Sequence, residues 1–167
     1  MELTDFKSLL TSFAQRPVPP LAGRHLYLWH GELAPLQGIT PPGLGVGLDL
    51  MELAQSVPRT PTAVDEARRV LQTALHAWLE SHAPPANAQQ MVVVTGAALL
   101  ARYRMPLTAF FTWAGDSQMF VFVLPPHETT LRAPRPLPPY VDFNPRATLD
   151  YLRTNLGDRA TIGDAAQ

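Results

Sequence analysis

Apolar residues recur along this chain in two rhythms, a helical one of about 3.6 residues and short unbroken runs, and the two alternate. Phe6, Leu9, Leu10 and Phe13 share one face of a helix predicted over residues 4–15. Thr4 or Asp5 can cap it, and Pro17, Pro19 and Pro20 end it. Residues 24–29, RHLYLW, follow as a strand apolar on both faces, the mark of a strand buried in a parallel sheet. His30-Gly31 breaks that run. A long loop is predicted from Gly31 to Gly43, interrupted by Pro35, Pro41 and Pro42, and a loop of that length is either functional or mobile. Residues 44–48, LGVGL, form a short second strand softened by Gly45 and Gly47. Asp49 is placed to cap a short helix through Leu50, Leu53 and Ala54 that stops at Pro58.

The strongest helical pattern covers residues 61–82, opened by a Thr62/Asp65 capping box with Asp65 and Glu66 in its first turn. Its stripe reads Val64, Ala67, Val70 or Leu71, Ala74 or Leu75, and Trp78. The β-branched run MVVVT, residues 91–95, is predicted to be a central strand ended by Gly96. Helical patterns at 97–103 and 107–114 are split by Pro106, and Gly115-Asp116 turns the chain into a buried strand over 119–124. A proline-rich segment, 125–142, is predicted to be extended or an edge strand. Asn144-Pro145 starts a last helix that runs to Leu156, with Gly157 at C′. Strands that alternate with helices predict an α/β fold: three layers, a mostly parallel sheet of 4–5 strands and helices on both faces, P-loop- or Rossmann-like. One domain is predicted over 1–157, with 158–167 as a flexible tail.

Composition narrows the chemistry. There is no cysteine, which removes disulfides, thiolate metal sites and cysteine nucleophiles and fits a reducing compartment. The net charge of -1 provides no global field for nucleic acid or an anionic membrane. No basic segment followed by an apolar run opens the chain, and no stretch approaches 18 apolar residues; the expected location is cytoplasmic, with no membrane contact. Charged residues are only 16% of the chain, below the usual ~25%, and a surface so poor in charge suits a protein partner or a homodimer.

In parallel sheets ligands sit beyond the carboxyl ends of the strands. Four regions are predicted to meet there: His30 with Glu32, Asp49, Thr95 with Gly96, and His127 with Glu128. Imidazoles and carboxylates of this kind suit zinc or manganese, but no HExxH-type spacing fixes a geometry, so neither metal nor cofactor is assigned. The same residues read equally as hydrogen-bonded loop positions. Gly38, Gly43, Gly45 and Gly47 match no phosphate-binding motif. Arg102, Arg104, Arg132 and Arg135 are the candidates for nucleic-acid phosphate or an acidic partner, against the plainer reading of solvated arginines. No serine lies in a GxSxG context.

The succession of strand RHLYLW to Gly31, strand MVVVT, segment ALLARYRMPL and strand MFVFVLPP resembles a small P-loop NTPase core, and more narrowly the small P-loop proteins of bacterial phage-exclusion (BREX) systems. The resemblance spans about residues 20–125. It puts HGELAPLQGIT in the Walker A position without the GK[ST] element, and Thr95 where a Walker B aspartate would stand. It therefore implies a non-hydrolysing relative: a non-catalytic, pseudo-NTPase-like interaction subunit of a bacterial defence or DNA-processing assembly. Two alternatives stay open: a nucleic-acid module built on the four arginines, and an enzyme with an unrecognised site at His30, Glu32, Asp49 and His127.

Overall fold

A computed structural model describes residues 1–20, 23–57, 63–126, 145–157 and 161–162. The strands are β1 (Leu26–His30), β2 (Gly45–Asp49), β3 (Gln90–Thr95), β4 (Gln118–Leu124) and β5 (Thr161–Ile162). The helices are α1 (Leu3–Gln15), α2 (Leu33–Ile39), α3 (Leu50–Ser56), α4 (Val64–Ser81), α5 (Ala98–Arg102), α6 (Thr108–Trp113) and α7 (Pro145–Leu156). All strand pairs are parallel, in the order β2-β3-β4-β1-β5. The predicted three-layer α/β architecture is the one observed.

Strand alternation sorts the core into two clusters. Tyr27, Trp29, Met91, Met119, Val121, Val123 and Ile162 face α1 and α2, packing on Phe6, Leu10, Phe13 and Leu36. Leu26, Leu28, Leu48, Val92, Val94, Phe120 and Phe122 face the opposite way, against α3 to α7. The β1-to-β2 connection crosses the first face in one direction, and the later connections cross the second face in the other. Both therefore have the same hand, as parallel crossovers require. On the second face the Phe110 ring stands edge-on to Phe120 and Phe122, with centroids 5.2 and 4.9 Å away.

Several boundaries and two elements differ from the sequence reading. The expected Gly31–Gly43 loop contains α2, because Pro35 falls in the first helical turn, where its missing N–H would have had no partner, and because Leu33, Leu36 and Ile39 supply an apolar stripe. Residues 161–162, assigned to the flexible tail, form β5: Thr161 and Ile162 pair with Leu28 and Trp29, and Ile162 is fully buried. The β-branched pair covers an edge of β1 that would otherwise be unpaired. In α4 the choice between two stripes falls on Ala67, Leu71, Leu75 and Leu79, while Val64 is exposed and its N-cap is Ala63. The α1 helix begins at Leu3 with Glu2 at the N-cap, so neither Thr4 nor Asp5 caps it. Gly157 does follow α7 at φ +80°, the C′ conformation glycine adopts most easily. Thr62, the proline-rich segment 127–142 and Asn144 lie outside the described residues.

His25 is buried on the first face, its ring edge-on to Phe13. Nε2 meets the Val18 carbonyl, which can only accept, so Nε2 carries the proton and Nδ1 accepts from the Tyr27 hydroxyl at 2.8 Å. Burial pushes the Tyr27 hydroxyl up to about 12, so it remains a donor at any ordinary pH. Tyr27→Phe keeps the ring contact with Phe6 but strands the His25 acceptor. Urea unfolding of that variant is expected to show a loss of about 1–2 kcal/mol with an unchanged slope.

Candidate functional site

The carboxyl ends of the strands bring together some of the predicted residues and separate others. Asp49 and Thr95 are register partners at the ends of β2 and β3. His30 ends β1, opposite Leu124 of β4. At the ~4.8 Å spacing of neighbouring strands, His30 stands roughly 10 Å from Thr95 and roughly 14 Å from Asp49 along the sheet. His30 and Asp49 thus do not converge on one reacting group, and among the described residues no group of three His, Asp or Glu could hold a metal ion. His127, Arg132 and Arg135 lie outside the described residues.

The end of β1 is closed. β1 exits toward the first face and β4 toward the second, so their shared border is the topological switch point where parallel sheets usually bind ligands. Here the Gly31 N–H bonds the Leu124 carbonyl across that border at 3.1 Å. Only Gly31 and Glu32 join β1 to α2. The Trp29 indole folds back and donates to the Glu32 carbonyl at 2.8 Å, and it packs so closely that a Cβ on Gly31 would lie 3.0 Å from Nε1. HGELAPLQGIT therefore holds the last residue of β1, a two-residue connection and a helix, rather than an extended glycine-rich loop.

His30 remains half-exposed beside this closure. Burial, and secondarily the Arg153 guanidinium, lower its pKa below the ordinary imidazole range. The neutral ring is favoured in the folded chain.

The end of β2 is open. A cleft of about 420 Å³ lies on the first face between α2 and the sheet. Gly45 and Gly47 of β2 and half-buried Val93 and Thr95 of β3 form its floor; Leu33, Gln37 and Thr40 form its wall; Asp49 and Glu52 stand at its end. A Cβ on Gly47 would meet nothing within 4 Å. Asp49 is fixed from two sides. One carboxylate oxygen accepts the Met51 N–H at 2.9 Å, capping α3 as its sequence position predicts. On the other side Gly96, at φ +71°, lets the β3 exit pass so close that a Cβ there would lie 2.8 Å from Met51 Cγ and 3.2 Å from Asp49 Oδ1.

Arg102 and Arg104 line a separate cleft of about 510 Å³ against Ala147, Thr148 and Tyr151 of α7. Arg104 occupies a left-handed position, φ +46°, at the end of α5. Burial raises the Tyr151 hydroxyl above its usual range, Arg68 partly offsetting this, and the hydroxyl donates to the Met105 carbonyl. The glycine-floored cleft was not legible in the sequence, although its signal was present: two glycines at alternate positions of one strand, both on the same face.

No helix among the described residues is long and apolar enough to cross a membrane. No family model matches the chain, and no curated protein or solved structure matches it.

Two measurements check this geometry. Gly96→Ala combines a strained φ with a clash at Met51, and is expected to lower stability by about 1–3 kcal/mol in chemical denaturation. Because the folded chain disfavours protonated His30, the unfolded chain binds more protons below the ordinary imidazole pKa. Stability is then complete above about pH 6.5 and falls as the pH drops toward the lowered value. Urea midpoints taken between about pH 5 and 7 should rise with pH in the parent chain, and less steeply in His30→Gln.

Proposed function

We propose that the chain is a non-catalytic interaction module, a pseudo-NTPase-like subunit of a larger assembly. The observation that carries this reading is the closed end of β1. In the position where a phosphate-binding loop would have to sit, two residues lead directly into α2 and an indole is bonded over them. Thr95 ends β3 where a metal-binding acid would be needed, and His30 and Asp49 stand three strand spacings apart rather than gathered on one point. The setting in bacterial defence or DNA processing comes from the sequence resemblance alone.

Nucleotide binding provides the test. A ligand present at a hundred times its Kd raises stability by about 2.7 kcal/mol, a shift easily read in a melting curve. Purified chain with magnesium and ATP, ADP or GTP is expected to show no such shift and no phosphate release. In parallel, purification of the tagged chain from its native host at moderate salt is expected to retain a stoichiometric protein partner. Magnesium-dependent turnover that disappears in His30→Ala or Glu32→Ala would overturn the reading.

A further inference from the structure

We propose that the outer edge of β2, with the glycine-floored cleft beside it, is a strand-addition site for an extended segment of a protein partner that carries an aromatic and a basic residue two positions apart. This rests on the interaction-module reading and names the surface and the chemistry of the partner.

Three independent features point to this occupant. The first is the backbone. β2 pairs with β3 from Gly45 to Asp49, and no strand of the described chain lies on its other side. Alternate N–H and C=O groups of a strand so placed point away from the sheet and can bond an added strand. Edge strands are usually guarded by lysine, proline or an inward-pointing charge. Of β2, residues 45–48 are Gly, Val, Gly and Leu and carry none of these; the strand's one charge, Asp49, stands at its last position.

The second feature is shape. On the first face β2 presents only Gly45, Gly47 and Asp49, because Val46 and Leu48 turn to the other cluster. Empty space therefore stands above the peptide plane at Gly47. In a paired strand a side chain opposite an edge glycine leans over it, and an aromatic ring gains most from the flat peptide surface. The half-buried Val93 floor and the α2 wall enclose about 420 Å³, within the range of roughly 300–1,000 Å³ typical of binding clefts.

The third feature is charge. Asp49 and Glu52 stand at the far end of the cleft, and no cation is among the residues that line it. On an added strand the residue two positions from the aromatic projects from the same face, so a lysine or arginine there reaches the carboxylates. These features also favour a partner over a second copy of this chain. Antiparallel self-pairing centred on Gly47 would set glycine floors side by side with nothing to fill them, and would bring no cation to Asp49.

The test is selection of a displayed random heptapeptide library on the full chain, followed by fluorescence anisotropy with the enriched peptide as the probe. Enriched sequences are expected to place Trp, Tyr or Phe two residues from Arg or Lys. Affinity should fall at least about tenfold in Gly47→Phe, which fills the cleft from an unstrained backbone position, and measurably in Asp49→Asn, which keeps the α3 cap. Gly47→Val supplies a second, strand-favouring variant should the larger side chain disturb folding, with circular dichroism as the check. An unenriched library, enriched peptides without the aromatic–basic spacing, or affinity unchanged in both Gly47 variants overturns the proposal. So does a concentration-dependent dimer that Gly47→Phe dissociates, which would assign the edge to self-pairing. If the native partner remains bound to Gly47→Phe, the β2 edge is excluded while the interaction reading stands; nucleotide turnover sinks that reading whatever the peptides do.

Discussion

Strand β4 has no exposed residue, and the placement of the other elements follows from covering it. Its sides are taken by β3 and β1, which pair with it almost residue for residue. One face carries Met119, Val121 and Val123, and the other Phe120, Phe122 and Leu124. Burying each such side chain contributes on the order of 1.5–3 kcal/mol, so neither face can be left to water. Two helical layers are the consequence, and with both faces covered the sheet can remain parallel.

The two layers are unequal, and that inequality produces the cleft. The second face carries α3 to α7, including the 18-residue α4. Among the described residues the first face carries only α1 and the short α2. α1 packs on Tyr27 and Trp29 of β1, toward the β5 side of the sheet, and α2 reaches only as far as Leu36 and Ile39 carry it. Over β2 the helical cover runs out at the strand whose inward positions on that face are glycine. A Cβ at Gly47 would meet nothing within 4 Å, so glycine at this position, together with the short helical cover, leaves the space open.

The ends of β1 and β2 are treated in opposite ways. At the carboxyl end of β1 two groups bond within the chain, the Gly31 N–H to the Leu124 carbonyl and the Trp29 indole to the Glu32 carbonyl. Polar groups paired in this way make a rigid, closed end. At β2 the backbone edge and two carboxylates face outward, and the Met51 N–H, donating to Asp49, holds that carboxylate in place. Rigid support beneath an open edge is the arrangement that strand addition requires, because the added segment then meets groups already in position.

The layered α/β class, the strand character of the runs at 26–29, 91–95 and 119–124, the Asp49 cap and the Gly157 C′ position were all legible in local residue pattern, because each depends on neighbours within a few residues. The α2 helix was hidden by Pro35 and Gly38, whose loop signal a first-turn position and an apolar stripe override. β5 was hidden because two residues carry no periodicity; only the unpaired edge of β1 makes Thr161 and Ile162 a strand. Asp49 and Thr95 were correctly placed at strand ends, but their pairing, and the separation of both from His30, follow from the strand order β2-β3-β4-β1-β5. Strand order reflects contacts between residues far apart in the chain, and no local pattern encodes it. For the same reason the glycines at 45 and 47 read in sequence as a weak strand, and only the tertiary structure, by leaving α2 short of them, turned that weakness into an open floor.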